Sequence, residues 1–457
     1  MNGGKENINL LLDLYELTMG QCYFEHGQNL IATFDLFVRH FASNRSYLLA
    51  CGLDDALSFL EGFHFNRDAI GYLDSLKIFS RGFLDYLRKI RFTGEVWAMR
   101  EGTVFFPGEP VLRVSAPIIE AQLVESFLLN TINFQTTIAS KASRVVQAAD
   151  KKGVYDFSLR RTQGIDAAIK SARAAYIAGC SGTSNVLAGK LYGIPVVGTM
   201  AHSFVMSFGT ELESFRVFAS TFPENSILLV DTYNDIKGIE NAITVAKEMA
   251  KKGLSLKGIR LDSGNLLTLS KIARKKLDSS GLKDVRIFAS GNLDEFRIEE
   301  LIARSAKIDY FGVGTKMGVS ADAPYSDVIY KISQIVDSKG RFLPVMKLSH
   351  GKSTLPGIKQ VFRIQGANGM YEKDILALEG EKIEGKKLLI KVMEKGKRIY
   401  KSPPLERIRE FASENVEHLP QRYKLIRGAH RYPVEISDGL KKLTESLLRA
   451  IKKRSLQ

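Results

Sequence analysis

Between residues 10 and 24, Leu11, Leu14, Tyr15, Thr18 and Cys22 recur every three or four positions, the period of a helix with one apolar face. From Ala32 to Val38 polar and apolar residues partly alternate, which predicts a strand. Helical spacing returns over 52–62 and 67–78. Residues 94–99 and 103–114 then alternate around Pro107, Gly108 and Pro110, as strands joined by tight turns do. A helical pattern over 117–149 leads the chain out of this first, β-containing zone.

The pattern changes after residue 150. Six short apolar runs each end in a polar or Gly-rich loop: Val154–Phe157, Ile194–Val197, Ile227–Val230, Gly258–Leu261, Val285–Phe288 and Tyr310–Val313. Helical patterns separate them, at about 164–178, 184–192, 236–252, 265–280 and 294–306. Strand, loop and helix in repetition specify parallel strands with crossover helices. Six units in one stretch favour a closed or nearly closed barrel, in which reactive loops gather at the strand C-terminal ends. After about residue 320 mixed strands return, at 328–332 and 388–392, with a basic helical end over 435–454. These breaks predict three regions: residues 1–150, 151–330 and 331–457.

Charge sharpens the division. The chain has 457 residues and a formal charge of +15, which alone suggests nucleic acid. Residues 331–457 hold 28 Lys and Arg against 14 Asp and Glu, so +14 of the surplus lies there and the rest is nearly neutral. Aromatic residues interleave only sparsely in that region (Tyr400, Phe411, Tyr423, Tyr432), against a nucleic-acid-binding role. No secretory leader follows Met1, and no run of 18 apolar residues predicts a membrane span. Cys22, Cys51 and Cys180 are scattered, without CxxC spacing, and read as buried reduced thiols of a cytoplasmic protein.

The barrel loops carry the candidate chemistry. The turns Ser290-Gly291-Asn292 and Gly312-Val313-Gly314-Thr315 follow the last two strands, the usual phosphate position of a barrel. Arg160, Arg161, Arg260 and Lys316 add positive charge suited to a carboxylate or diphosphate. Asp231, Asp235 and Asp262 fit Mg²⁺ binding, ribose hydroxyls or helix caps. His202 is the sole histidine of 151–330; the others are His26, His40, His64, His350, His418 and His430. It fits a general base, a nucleophile or a phosphate acceptor. There is no GxxxxGK[ST] loop, no GxGxxG after a first strand and no HExxH. Ile227–Thr232 lacks the paired acids and TG turn of a type I phosphoribosyltransferase.

The strings Asp13-Leu14-Tyr15-Glu16-Leu17-Thr18-Met19, Phe34-Asp35-Leu36-Phe37-Val38-Arg39, Gly198-Thr199-Met200-Ala201-His202-Ser203, Arg260-Leu261-Asp262-Ser263-Gly264-Asn265-Leu266 and Gly312-Val313-Gly314-Thr315 occur in this order. Together they resemble nicotinate phosphoribosyltransferase, from about residue 9 to 365. The resemblance implies an α/β chain: the irregular barrel of the type II phosphoribosyltransferases, an N-terminal α/β sandwich and a C-terminal extension. It implies transfer of phosphoribosyl from phosphoribosyl diphosphate to nicotinate, giving nicotinate mononucleotide and diphosphate. ATP hydrolysis drives it through a phosphohistidine at His202, with Mg²⁺ at Asp262. His202, Arg260 and Asp262 become the catalytic set. Tyr15, Thr199, Arg260 and Ser203 become nicotinate contacts, with Tyr15 stacking from a neighbouring subunit of a homodimer. Arg160, Asp262, Ser290, Gly291, Asn292, Gly312, Gly314 and Thr315 become the phosphoribosyl diphosphate contacts.

The nearest rival is nicotinamide phosphoribosyltransferase. The resemblance places an Asp in the amide enzymes where Ser184 stands here. A carboxylate there would repel nicotinate, so Ser184 favours the acid.

Overall fold

The computed structural model describes residues 7–28, 30–349 and 352–454. The first six residues and His350 lie outside it. The chain divides into two compact units, 1–137 with 325–425 and 429–457, and 138–324 with 426–428.

The first unit is built on a seven-stranded antiparallel sheet in the order Phe342–Pro344, Val328–Val336, Ile31–Val38, Pro110–Pro117, Glu95–Ala98, Ile390–Glu394, Lys397–Arg398. A second, four-stranded sheet joins Lys386–Lys387, Lys359–Gln365, Tyr371–Leu378 and Val434–Ile436. The regions expected at 1–150 and 331–457 are therefore one body, and the breaks fall at 137/138 and 324/325 rather than at 150 and 330. The reason is strand pairing. Ile31–Val38 is the middle of a sheet and needs partners on both edges. Pro110–Pro117 takes one, and Val328–Val336, nearly 300 residues downstream, takes the other. Phe34 and Tyr330 stack across that pairing with ring centroids 4.6 Å apart. Helices Leu53–Glu61, Arg67–Ser75 and Arg81–Lys89 bury Leu57, Leu60, Ile70, Leu73, Phe83 and Leu87 in the same core. The single helix expected over 117–149 is two, Ile118–Leu123 and Glu125–Ala148, meeting at Val124.

The second unit holds six parallel strands in the order Gly182–Thr183, Gly153–Asp156, Tyr310–Val313, Arg286–Ala289, Gly258–Leu261, Ile227–Leu229. Their central residues Leu228, Ile259, Ile287 and Phe311 are fully buried, as expected of a parallel sheet covered on both faces. Five strands match the expected runs. The sixth expected run, Ile194–Val197, shrinks to one bridge between Val196 and Thr183. The strand beside it is Gly182–Thr183, whose two residues are too short to show a period. No strand pairing joins Ile227–Leu229 to that other edge among the described residues. Instead a cavity of ≈ 430 Å³ opens there, lined by Val196, Thr199, Phe218, Phe222, Ile227 and Lys257. The barrel is thus irregular rather than closed.

Side-chain caps start the crossover helices. Asn185, Asn234, Asn265 and Asp294 each accept from the backbone N–H three residues on. Beneath the helices, buried Glu295 is paired with Lys141 and Arg144, and Arg144 Nη2 donates to Ile426 O at 2.7 Å. Those bonds tie the short segment 426–428 to this unit. No described helix is long and apolar enough to cross a membrane. None of the three cysteines forms a disulfide; Cys51 and Cys180 are buried, but Cys22 is exposed, contrary to expectation.

Candidate active site

The strand Gly258–Leu261 alternates its side chains, so Arg260 points away from buried Ile259 and Leu261. Its guanidinium is only 14% exposed and is bound at every nitrogen. Nε donates to Ser290 Oγ at 2.8 Å, Nη1 to Thr199 Oγ1 at 2.9 Å and Met200 O at 3.2 Å, and Nη2 to Asp262 Oδ1 at 2.6 Å. Phe157 lies beneath it, 5.9 Å from ring centroid to guanidinium carbon. The sequence-selected residues Thr199, Arg260, Asp262 and Ser290 therefore form one hydrogen-bonded cluster.

Asp262 is not a helix cap, since Asn265 takes that role. Burial pushes its carboxyl up, but hydrogen bonds from Arg260 and Ser290, and the charges of Arg260 and His202, outweigh burial and hold it below the usual carboxylate range. It is an ionised group in a partly dry site. Asp231 buttresses it from the neighbouring strand end, accepting from Asp262 N at 2.9 Å and Ser263 Oγ at 2.6 Å. Asp262 Oδ2 makes no hydrogen bond among the described residues and lies 4.0 Å from His202 Nε2.

His202 opens a short helix after Ala201, with its side chain 40% exposed. Its Nδ1 is 3.1 Å from Thr232 Oγ1. Thr232 was not selected from sequence. Its position directly after Asp231 at a strand end was the available signal. Ser203, next on the helix, is exposed and forms no side-chain hydrogen bond among the described residues.

The two phosphate turns behave differently. Gly291 has φ +89, and a Cβ there would meet Asp262 O at 1.7 Å, so only glycine lets this turn press against the Asp262 backbone. The amides of Gly291, Asn292, Gly314 and Thr315 meet no acceptor among the described residues and remain available to an anion. Ser290 is committed to Arg260 and Asp262, so its hydroxyl serves the cluster rather than a free cradle. Gly312 lies inside a strand, buried, where a Cβ would strike the Phe157 ring at 2.7 Å, so its missing side chain makes room for packing. Lys316 is paired to Asp294 at 2.8 Å, so it is not a free rim charge. Arg160 and Arg161 are exposed on a single 3₁₀ turn and form no ion pair among the described residues.

No group of three or more His, Cys, Asp or Glu is placed to hold a metal among the described residues. One open oxygen, Asp262 Oδ2, fits a Mg²⁺ that arrives with a diphosphate and does not form a cage by itself.

Tyr15 belongs to the other unit, in the first turn of the helix Leu14–Glu25, 45% exposed. Its phenol is held above its usual range by burial, then by Glu125 and Glu16. Beside it, Glu16 is buried and accepts from Ser126 N at 3.1 Å and Ser126 Oγ at 2.5 Å. Burial, with Glu125 and Asp13 adding to it, pushes the Glu16 carboxyl up to about 7 against the hydrogen bonds from Ser126. The folded chain thus holds this proton more tightly than the unfolded chain. Its stabilisation is complete below about pH 4.5 and is lost as pH rises through 7. The effect is at most about 3 kcal/mol, reduced by solvent screening. Thermal melts from pH 5 to 8 are expected to show a falling midpoint that Glu16→Gln flattens; identical slopes in both proteins would refute it.

Comparison with known proteins gives one consistent answer. Family profiles match over three stretches: the nicotinate phosphoribosyltransferase N-terminal domain at residues 10–133, the nicotinate phosphoribosyltransferase family at 153–347, and the nicotinate phosphoribosyltransferase C-terminal domain at 382–444. The chain is 46% identical over 433 residues to a nicotinate phosphoribosyltransferase of Mycobacterium tuberculosis, covering 94% of this chain and 92% of that protein. It is 37% identical over 461 residues to the Bacillus subtilis enzyme of that name, covering 95% and 94%. Among solved structures, human nicotinic acid phosphoribosyltransferase superposes with a TM-score of 0.84 at 28% identity, covering 95% of this chain and 99% of that one. A nicotinate-nucleotide pyrophosphorylase from Pyrococcus furiosus superposes with a TM-score of 0.74 at 27% identity, covering 92% and 97%.

Proposed function

The chain belongs to the nicotinate phosphoribosyltransferase family, and from that premise we propose how its own residues carry the reaction in NAD biosynthesis. The enzyme transfers phosphoribosyl from phosphoribosyl diphosphate to the pyridine nitrogen of nicotinate. The observation that carries this reading is the Arg260 fork, which holds Thr199, Ser290 and Asp262 in one plane of charge-assisted bonds.

Arg260 is a partly buried, pre-positioned cation, and with Thr199 Oγ1 it suits the nicotinate carboxylate. Ser184 supports the acid over the amide, because it puts no carboxylate in that loop; its amide is held by Asp156 O at 2.9 Å. Departure of diphosphate leaves an electron-poor, oxocarbenium-like ribosyl carbon, which the pyridine nitrogen attacks. Asp262, kept ionised, stabilises that centre or the ribose hydroxyls beside it, and needs no reorganisation to do so. The free amides of Gly291, Asn292, Gly314 and Thr315, with Arg160, take the phosphate oxygens. Asp262 would hold a Mg²⁺ arriving with the diphosphate, and that ion would supply charge neutralisation there.

ATP is the co-substrate. Its γ-phosphoryl passes to the His202 imidazole with release of ADP, and water later returns the phosphoryl as inorganic phosphate. Exposure of the ring, and the Thr232 bond that fixes it, support this role. The working form is a cytoplasmic homodimer with Tyr15 stacking on the nicotinate bound by its partner. Mixed dimers test this part. Tyr15→Ala and Arg260→Ala proteins, each inactive alone, are expected to recover up to about a quarter of wild-type activity when co-expressed, from the one site in four that is intact. No recovery in verified mixed dimers would place each site within one subunit.

A further inference from the structure

The lysine-rich C-terminal third plays no part in the reaction described above, yet it builds a recess of its own in the first unit. The recess is ≈ 40 Å³, and its lining includes Arg100, Arg363, Tyr371, Lys386, Lys387 and Asn415, with no carboxylate in the lining. Arg363 is its floor. This side chain is 1% exposed, with Nε and Nη2 on the two oxygens of Asp374 at 3.0 and 2.5 Å. Its guanidinium lies between the rings of Phe106 and Tyr371, at 5.5 and 4.5 Å. Its Nη1 is buried and forms no hydrogen bond among the described residues, although the Tyr371 hydroxyl, bonded to Asn415, lies near the guanidinium. A buried cationic N–H left without a partner is costly, so natural sequences seldom keep one without use.

Strand pairing adds a second anomaly. Lys386 stands directly opposite Arg363 on the neighbouring antiparallel strand. Like charges in that position repel. Arg100 lies close enough to act on Lys386 as well, and neither Arg100 nor Lys386 forms an ion pair among the described residues. Burial first, then Arg100 and Arg363, hold the Lys386 amine below its usual range; Glu414, on the helix Leu405–Glu417, opposes them weakly. Behind the floor, Asp374 is bonded to Arg363, while Glu109 accepts from Phe106 N and leaves Oε1 buried with no hydrogen bond among the described residues; burial, then Asp374, raises Glu109 strongly.

We infer that this recess is an oxyanion site, in which Arg363 Nη1, Lys386 and Arg100 together hold inorganic phosphate or another small tetrahedral oxyanion. A small cationic recess of this kind suits a small oxyanion. An anion there supplies the missing acceptor and relieves the cross-strand repulsion, so it stabilises the first unit by mass action. The reaction proposed for the barrel releases diphosphate and phosphate, so such an ion is at hand.

The test is calorimetric titration of the full chain with inorganic phosphate, at constant ionic strength set by chloride. Saturating phosphoribosyl diphosphate with Mg²⁺, without nicotinate or ATP, occupies the phosphate positions of the barrel site. With that site occupied, one phosphate per chain is expected, weakened by about tenfold or more in Lys386→Gln and in Arg100→Gln. Without phosphate, Lys386→Gln is expected to melt no lower than its parent, since a repulsion has been removed. Phosphate affinity equal in parent and both variants, or no phosphate binding once the barrel site is occupied, would overturn the assignment.

Discussion

Replacing Arg260 by Ala is expected to lower kcat/KM for nicotinate by about three orders of magnitude or more, with little loss in the thermal midpoint of the first unit. The size follows from what the side chain does. It makes four hydrogen bonds, to Ser290, Thr199, Met200 and Asp262. Charge-assisted bonds of this kind are each worth about 1.5–3 kcal/mol, and two of them lost on the substrate and on Asp262 supply the whole factor. Arg260→Lys is expected to recover little, because one ammonium cannot reach the same four partners. The substitution also has a pH signature. Arg260 heads the interactions that hold the Asp262 carboxyl low against burial. Without it the carboxyl rises, and the acid limb of the pH–rate profile is expected to move to higher pH. A profile of unchanged shape with only a lower plateau would mean that Asp262 does not depend on Arg260.

His202→Ala is expected to abolish ATP stimulation completely and to leave slow, ATP-independent formation of nicotinate mononucleotide. The Arg260 cluster does not include the imidazole: His202 Nε2 stays 4.0 Å from Asp262, and Nδ1 bonds Thr232 instead. Removing the ring therefore deletes the phosphoryl acceptor and spares the groups assigned to nicotinate. ADP release per nucleotide formed reads this directly, and should fall to background. Retention of ATP coupling in His202→Ala would sink the phosphohistidine role. The two substitutions also separate from each other: Arg260→Ala abolishes transfer with or without ATP, His202→Ala only the ATP-dependent part.

The legible parts were those written locally. Apolar runs such as Gly258–Leu261 and Tyr310–Val313, each followed by a Gly-rich or acidic loop, announce parallel strands within a few residues. Arg260 and Asp262 sit on one strand end, so their kinship could be read from two positions of sequence. What escaped depends on distance along the chain or on brevity. Thr232 reaches His202 across 30 residues. Val328–Val336 pairs with Ile31–Val38 across some 300, which turns two expected regions into one. Gly182–Thr183 is too short for any periodicity, and Ile194–Val197 has the composition of a strand but holds only one bridge. Gly312 illustrates a different point. Its GxG spelling suggests a phosphate turn, whereas the strand continues through it and the missing Cβ serves the Phe157 ring.

The most direct measurement offers the full chain nicotinate and nicotinamide at equal concentration, with phosphoribosyl diphosphate and Mg²⁺, in parallel with and without ATP. Chromatography resolves the two mononucleotides. The account predicts nicotinate mononucleotide as the dominant product in both, more of it with ATP, and ADP formed alongside. Dominant nicotinamide mononucleotide, or no nucleotide from either base, would contradict it.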